Sequence, residues 1–311
     1  MLKLAVNLVA IVILLRGKCG LSKCITCYLL AMTAADLMVV FIHVIFHRIN
    51  RIYLPVTILL LTPICTLNLV SYIVVVDCSV WFTVAFTFDR FVAICCQKIQ
   101  SKYCTEKTAK VVITIVFVVS CLRSIQFYFL TEPAFIIDSM PWHCVPRTEY
   151  HTSPLWKALE CIDSIITPLL PMLLIMLFNA LTVRHIIAAN RVRSGLRSNS
   201  ENQNDTEMKN RRKSMVLLFA ISANFILLWM TYVVHSLNWP VMNFGYSNKY
   251  YSNPIYIMQQ VGFMLQLLSS GTNTCIYGLT QRKFRSELKN GVKYVFTLNG
   301  KLCHHSKIAS S

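Results

Sequence analysis

The stretch from Thr62 to Cys96 constrains this chain more than any other part of its sequence. It is apolar along most of its length and exceeds the roughly 20 apolar residues that a helix needs to cross a bilayer. Near its end stand an acid and a base, Asp89 and Arg90, followed by Phe91 and another apolar turn. A charged pair at that depth is costly unless it faces water or protein. We therefore predict a membrane-spanning helix whose charged end either anchors it at the interface or meets a partner.

The composition extends this prediction to the whole chain. Of its residues, 55% are apolar and 14% are charged, whereas soluble domains carry about 25% charged residues. Further apolar runs predict an all-α fold, a seven-transmembrane helix bundle. The first run is short, so we expect that the upstream turn of its helix and an outer tail are missing. The predicted spans one to seven are Leu2–Leu15, Cys24–Phe46, Thr62–Cys96, Val111–Leu130, Leu155–Ile187, Ser214–Trp239 and Pro254–Leu279.

The net charge of +17 could indicate nucleic acid, but the placement of the 30 Lys and Arg residues favours a bilayer. Most of them lie between spans one and two, three and four, or five and six, or after span seven. This positive-inside pattern predicts a multi-pass plasma-membrane protein with a cytoplasmic C-terminus and no bound nucleic acid. The loops on the opposite side hold Arg48, Arg51, Arg147, Lys157 and Lys249.

The polar segments divide the chain further. Residues 1–296 form the predicted seven-span domain, and residues 297–311 form a cytoplasmic tail. Residues 188–213 are rich in Ser, Asn and charge, which predicts a flexible third cytoplasmic loop. The segment Gln281–Phe296 alternates basic and apolar residues and predicts a short amphipathic helix on the inner membrane face. Its apolar positions are Phe284, Leu288 and Val292.

The 13 cysteines do not indicate a zinc site. Cys24 and Cys27 form a single CxxC, without the second pair that a zinc site requires. Two unconnected thiols are the simpler interpretation. Cys65 and Cys144 differ from the others because both fall on the non-cytoplasmic side, where disulfides persist.

Taken in order and at their depths, these features resemble the motifs of rhodopsin-like (class A) G-protein-coupled receptors, from Leu2 to about Phe296. Asp89-Arg90-Phe91 is similar to the DRY triplet of that family, and Asn273-Thr274-Cys275-Ile276-Tyr277 is similar to NPxxY. The resemblance implies a disulfide between Cys65 and Cys144. Locally, Asp77–Cys95 resembles the orphan branch near the receptors that sense aromatic amino acids. Further matches to the family are Asn7, Asp36, Pro171, Phe225, Trp229 and Phe284.

Some positions depart from the family pattern. Thr274 and Thr231 replace prolines of helices seven and six, and either Thr can bond a backbone carbonyl and bend its helix, though less than Pro does. Asn179 stands where a Tyr is usual. Span six begins near Asn210 and Arg211, so no acidic residue is available there to hold Arg90. We expect Asp89 alone to restrain Arg90, and therefore noticeable basal activity.

The resemblance implies two internal sites. The first is a mid-membrane polar core of Asp36, Ser79, Ser269 and Asn273, which in the family holds a sodium ion; the alternative is a protonated Asp36 bonded to Asn273. The second is a switch that couples the receptor to a G protein, against the alternative that Arg90 only anchors the helix end. Its residues are Asp89, Arg90, Phe91, Asn179, Phe225, Trp229 and Tyr277.

An outer pocket between spans three, five, six and seven is the expected ligand site. Tyr72 stands where aminergic receptors carry an Asp, which argues against a monoamine. Asp77 either faces the ligand or pairs with Arg123. His43, His47, His143 and His235 lie near the outer face and are read as ordinary polar residues rather than as a metal or pH site. Other wall candidates are Val76, Asp163, Thr167, Trp229, Tyr232, Gln259, Phe263 and Gln266.

The predicted function is that of a receptor, not an enzyme, that binds an extracellular small molecule or peptide and activates a heterotrimeric G protein. The implied partners are the bilayer, the ligand, the G protein, an arrestin and a receptor kinase, with sodium as the one expected ion. The first alternative is a non-signalling decoy or scavenger relative. The second is a transporter, which the absence of repeated halves and the odd number of spans oppose.

Overall fold

The computed structural model describes residues 2–17, 19–49, 53, 57–149, 153–195, 205–238 and 254–290. Its long helices confirm the predicted all-α bundle. Spans two to six are long and apolar enough to cross a membrane, and span one is apolar but shorter, at Lys3–Leu15. Span seven has 27 residues, a length of about 40 Å, but it is interrupted by polar side chains. The observed helices are Leu2–Leu15, Lys23–Val39, Thr62–Cys95, Glu106–Ser124, Pro154–Ser164 with Leu170–Gly195, Asp205–Asn238 and Pro254–Thr280.

Two spans change helical type along their length. Span two continues as a π-helix over Val40–Ile49, and span five contains a π-helical turn over Ile165–Leu169 that includes Pro168. Proline removes one backbone donor and crowds the preceding turn, so a wider turn at Pro168 follows from its chemistry. Span four ends in a 3₁₀ turn over Ile125–Tyr128.

Spans two and four each start at a residue whose side chain caps the helix. The hydroxyl of Ser22 accepts a hydrogen bond from the backbone N–H of Ile25 at 3.3 Å, at the start of span two. Thr105 caps span four in the same way, accepting from the N–H of Thr108 at 3.2 Å. Each cap satisfies one of the backbone donors that a helix start leaves open. A short helix over Gln97–Tyr103 precedes the second cap.

The predicted third cytoplasmic loop is partly helical at its edges. Residues 188–195 continue the helix of span five, and residues 205–213 begin the helix of span six. Residues 196–204 lie outside the described residues, so flexibility there stays a prediction. The amphipathic helix runs over 282–290, with Phe284 buried beneath it; residues 291–296 also lie outside the described part.

The second outer loop contains strands that the sequence reading treated as plain loop. Strand β1 (Thr131–Glu132) pairs with β4 (Val145–Pro146), and β2 (Phe135–Ile137) pairs with β3 (Met140–Trp142). The β2–β3 turn is made by Asp138 and Ser139, both at positive φ, as a tight hairpin turn requires. The Cys65–Cys144 disulfide, with Cα atoms 5.8 Å apart, ties this loop to span three. That pairing is confirmed.

The core of the bundle consists of two apolar clusters. One lies toward the inner side and includes Tyr28, Phe86, Tyr277 and Phe284. The other joins spans three, five and six through Val76, Val80, Ile175, Phe225 and Trp229. Span four instead exposes most of its apolar residues, which is the pattern of a helix that faces lipid.

Candidate functional site

The centre of the bundle holds a buried carboxylate with two donors. Asp36, from span two, is 1% exposed. Its Oδ1 accepts from the Ser79 hydroxyl at 2.6 Å, and its Oδ2 accepts from the Asn273 amide at 2.9 Å. Spans two, three and seven are thereby joined at one acidic side chain. The carboxylate and the hydroxyl supply oxygen ligands of the kind that a hard cation prefers, whereas Asn273 turns its amide nitrogen toward Asp36.

The polar network extends from this carboxylate into span six. The Asn224 amide donates to Asn273 Oδ1 at 3.4 Å, and Thr272 donates to Asn224 Oδ1 at 2.9 Å. Ser269 is buried, but within the described residues its hydroxyl makes no hydrogen bond to Asp36. The structure therefore brings together three of the four predicted core residues and adds Asn224.

Thr274 behaves differently from the expectation. Its hydroxyl donates to Asn7 Oδ1 in span one at 2.9 Å, rather than to a carbonyl of its own helix. Asn7 in turn donates to the Ser270 backbone carbonyl at 2.9 Å. The residue in the proline position therefore joins spans one and seven, and its hydroxyl does not donate to a carbonyl of its own helix.

The inner end of span three carries a buried ion pair. Asp89 is 0% and Arg90 is 5% exposed. Arg90 Nε donates to Asp89 Oδ2 at 3.0 Å, and Nη2 contacts the same oxygen. Nη1 of Arg90 reaches the Ser214 hydroxyl of span six at 3.3 Å. The expectation that Asp89 alone restrains Arg90 therefore needs correction, because Ser214 adds a neutral contact.

The other predicted switch residues lie around this pair at different depths. Phe91 stacks on Phe178 of span five at 5.7 Å, and Phe225 stacks on Trp229 at 5.2 Å. Asn179 donates to the Ile175 carbonyl of its own helix at 2.7 Å. Tyr277 is fully buried and packs edge-on against Phe284 at 6.1 Å.

The aromatic wall of the expected ligand pocket is formed by spans six and seven. Trp229 meets Tyr232 at 5.9 Å, and Tyr232 meets Phe263 at 5.6 Å. Val76 packs in the same cluster as Trp229, and Tyr72 lies against that cluster. Tyr72 also stacks on His43 of span two at 4.6 Å. These contacts place five predicted wall residues around one another.

The charged residues of the wall form an ion cluster across spans three, four and five. Arg123 contacts Asp77 Oδ1 at 2.5 Å and Asp163 Oδ1 at 2.8 Å. Arg123 also donates to Thr167 at 2.8 Å, and Thr167 donates to Asp77 at 3.3 Å. The open question about Asp77 is thus answered by pairing, since Asp77 is only 2% exposed. Asp163 is the more accessible carboxylate, with 28% of its side chain exposed.

Three further wall candidates lie in spans six and seven. His235 and Gln266 are buried and Gln259 is half-buried. A separate cleft of about 170 Å³ opens at the outer end, between the disulfide, Asn68, Phe135 and His143. None of the predicted wall residues lines it. Within the described residues no cluster of three or more His, Cys, Asp or Glu side chains could hold a metal ion.

Sequence reasoning missed several partners of these sites. Cys24 donates to Asp89 Oδ1 at 3.1 Å, and Cys104 donates to the Asp89 carbonyl at 3.6 Å. Ser214 and Asn224 were also missed. The role of Asn224 could have been predicted, because a polar amide in an apolar span usually has a bonding partner. The contacts of Cys24, Cys104 and Ser214 could not, because they depend on how the helix ends meet.

Comparison with known proteins gives the family. A family model described as the 7 transmembrane receptor (rhodopsin family) matches residues 6–277. The Tachykinin-like peptides receptor 86C of Drosophila melanogaster is 24% identical over 234 residues, which cover 71% of this chain and 43% of that receptor. The Thyrotropin-releasing hormone receptor of Gallus gallus is 25% identical over 308 residues, covering 91% of this chain and 73% of that receptor. The chain thus spans less than half the length of the first relative.

Proposed function

Because the chain belongs to the rhodopsin family of seven-transmembrane receptors, we propose that it binds an extracellular peptide and activates a heterotrimeric G protein. The observation that carries this proposal is the buried pair of Asp89 and Arg90 at the inner end of span three, in contact with Ser214 at the foot of span six. A buried guanidinium that touches two spans is released when those spans separate. Arg90 would then meet the G protein.

The peptide ligand is supported by the relatives and by the pocket. One relative is named as a receptor for tachykinin-like peptides and the other as a receptor for a releasing hormone. Tyr72 stands where a carboxylate would bind a monoamine. The local resemblance of Asp77–Cys95 to receptors for aromatic amino acids has no counterpart among these relatives, so free aromatic amino acids serve as the competing class of ligand.

Asp163 gives this pocket its chemical preference. Arg123 carries one positive charge and faces two carboxylates, so the cluster lacks one cation. The second oxygen of Asp163 has no hydrogen-bond partner within the described residues, and the side chain is 28% exposed. A basic group of a peptide, placed between Asp163 and the aromatic wall at Tyr232, would complete the charge balance.

We also propose sodium as a modulator of the polar core. The two oxygens of Asp36 and the Ser79 hydroxyl lie together, and the Asn273 amide would bring its Oδ1 to the same point if it rotated away from its present bonds. These oxygens would then surround a small hard cation. When bound, the ion would neutralise the carboxylate and hold spans two, three and seven together. A protonated Asp36 hydrogen-bonded to Asn273 is the competing state.

The membrane setting follows from the same reasoning. The concentration of Lys and Arg in one set of loops supports a cytoplasmic C-terminus. Membership of a receptor family supports the plasma membrane as its location. An arrestin and a receptor kinase are proposed as later partners on that side. No enzymatic step is assigned to the chain.

The test is a ligand screen in cells that express the full chain. Tachykinin-like peptides, short basic peptides, their uncharged analogues and free aromatic amino acids are applied to a panel of Gα reporters. We expect a response to basic peptides that Asp163→Asn weakens and Asp163→Glu largely retains. A response confined to aromatic amino acids would replace the peptide proposal. Surface binding without exchange on any Gα would indicate a decoy receptor.

A further inference from the structure

Asp89 accepts hydrogen bonds from other donors in addition to its neighbour Arg90. Its Oδ2 accepts from Arg90, while its Oδ1 accepts from the Cys24 thiol of span two at 3.1 Å. Its backbone carbonyl accepts from the Cys104 thiol, at the start of the second inner loop, at 3.6 Å. Asp89 is therefore contacted by two elements besides its own helix, and of these only span two, through Cys24, bonds the carboxylate itself.

The contact between Cys24 and Asp89 is buried, whereas Cys104 is half-buried. Cys24 is 2% exposed and Asp89 is 0% exposed. Burial, together with the charge of Asp89, raises the pKa of the Cys104 thiol to about 12, so Cys104 keeps its proton at neutral pH. A protonated thiol is a weak donor. Its bond gains strength when the acceptor is an ionised carboxylate in a site that excludes water.

The geometry of the carboxylate explains why Cys24 matters for Arg90. With Oδ1 bonded to Cys24, the plane of the carboxylate is fixed and Oδ2 faces the guanidinium. Without that bond, Asp89 can rotate about its side-chain torsions, and both guanidinium contacts to Oδ2 weaken together. Arg90 contacts span six only through the neutral hydroxyl of Ser214 within the described residues. Because a charged acceptor binds a guanidinium more strongly, the carboxylate of Asp89 supplies most of the restraint on Arg90.

We propose that Cys24 is a positioning residue of the resting state: its thiol orients Asp89 so that Asp89 holds Arg90, and its loss raises agonist-independent signalling. The proposal rests on the proposed coupling to a G protein. It assigns a signalling role to one thiol of a CxxC pair whose spacing indicated no function. The other member, Cys27, has no bond to Asp89 within the described residues.

The test compares Cys24→Ala, Cys24→Ser and Cys27→Ala in membranes that contain the full chain. Nucleotide exchange on Gα is measured without agonist and normalised to the number of receptors. We expect Cys24→Ala to raise basal exchange about two- to tenfold, the range for losing one hydrogen bond. Cys24→Ser keeps a donor and should stay near wild type, as should Cys27→Ala, which alters the same helix one turn later.

Two outcomes would overturn the proposal. Equal basal exchange in Cys24→Ala and wild type, while Asp89→Asn raises it, would show that the thiol does not position the carboxylate. Equal increases in Cys24→Ala and Cys24→Ser would show that the site responds to packing rather than to a donor. Melting temperatures of the purified variants separate loss of folding from loss of restraint.

An infrared measurement distinguishes failure of this proposal from failure of G-protein coupling. The S–H stretching band of Cys24 is identified as the band that Cys24→Ala removes. We expect this band to shift when Asp89→Asn replaces the charged acceptor, whether or not any G protein responds. An unshifted band would overturn the proposal by itself. A shifted band with no exchange on any Gα would instead contradict the proposed function.

Discussion

Asp36 is the residue on which the central polar network depends. Both of its oxygens are engaged, by Ser79 and by Asn273, and it is nearly inaccessible. Ser269, which the resemblance places beside it, makes no bond to it in the described structure. Ser79 and Ser269 therefore offer matched variants for testing the ion proposal, because only Ser79 bonds the carboxylate.

The first prediction is that sodium lowers agonist-independent nucleotide exchange and that Asp36→Asn abolishes this effect. The Asn side chain keeps the shape but removes the charge that attracts the ion. Exchange is measured in sodium chloride and in choline chloride at equal ionic strength. Ser79→Ala should weaken the sodium effect, whereas Ser269→Ala should leave it intact. An equal effect of sodium on wild type and Asp36→Asn would contradict the proposed ion site.

The second prediction concerns Arg123 as the cation of the ion cluster. Arg123→Gln leaves Asp77 buried without a positive charge, which typically costs about 3–5 kcal/mol. We expect a lower melting temperature and less receptor at the cell surface. Adding Asp77→Asn should recover part of the loss, because the buried charge is then removed as well. If the double variant is no more stable than Arg123→Gln, Arg123 does not stabilise the bundle through Asp77.

Spans six and seven approach each other closely at a single glycine, Gly262. A Cβ added at Gly262 would lie 3.2 Å from the Cα and 3.3 Å from the N of Tyr232, both backbone atoms of span six. Backbone cannot give way as a flexible side chain can. Small residues allow membrane helices to approach in this manner, and Tyr232 is thereby held against Phe263 in the pocket wall.

The third prediction is that Gly262→Ala destabilises the receptor by about 1–3 kcal/mol, the usual cost of overpacking. The measurement is thermal unfolding of the purified receptor. Gly278→Ala is the matched control, because nothing lies within 4 Å of a Cβ at that position, and Ala is a better helix former than Gly. The interpretation fails if both variants unfold at the same temperature.

For the molecule as a whole, the sequence predicted the number and order of the helices because hydrophobic length is a local property. It also placed Asp36, Asn273 and the Cys65–Cys144 pair, through the family motifs. It left the pairing of Asp77 open, because that depends on how spans three and four are rotated. The contacts of Cys24 and Ser214 with the charged pair depend on how three helix ends meet, which no local pattern records.

The non-helical details were less predictable for a similar reason. The strands of the second outer loop depend on pairing between short segments, and no two-residue turn signal of the Asn-Gly type marks Asp138 and Ser139. The π-helical end of span two likewise has no proline to announce it.

The most direct test of the account is agonist-independent nucleotide exchange by wild type and Arg90→Ala, compared with mock-transfected membranes across the Gα classes. Because a neighbouring carboxylate and a neutral hydroxyl hold Arg90, we predict that wild type exceeds the mock level on at least one Gα. Arg90→Ala should return exchange to that level with surface expression largely intact. Exchange by wild type that is indistinguishable from mock, or exchange that survives Arg90→Ala, would contradict the account.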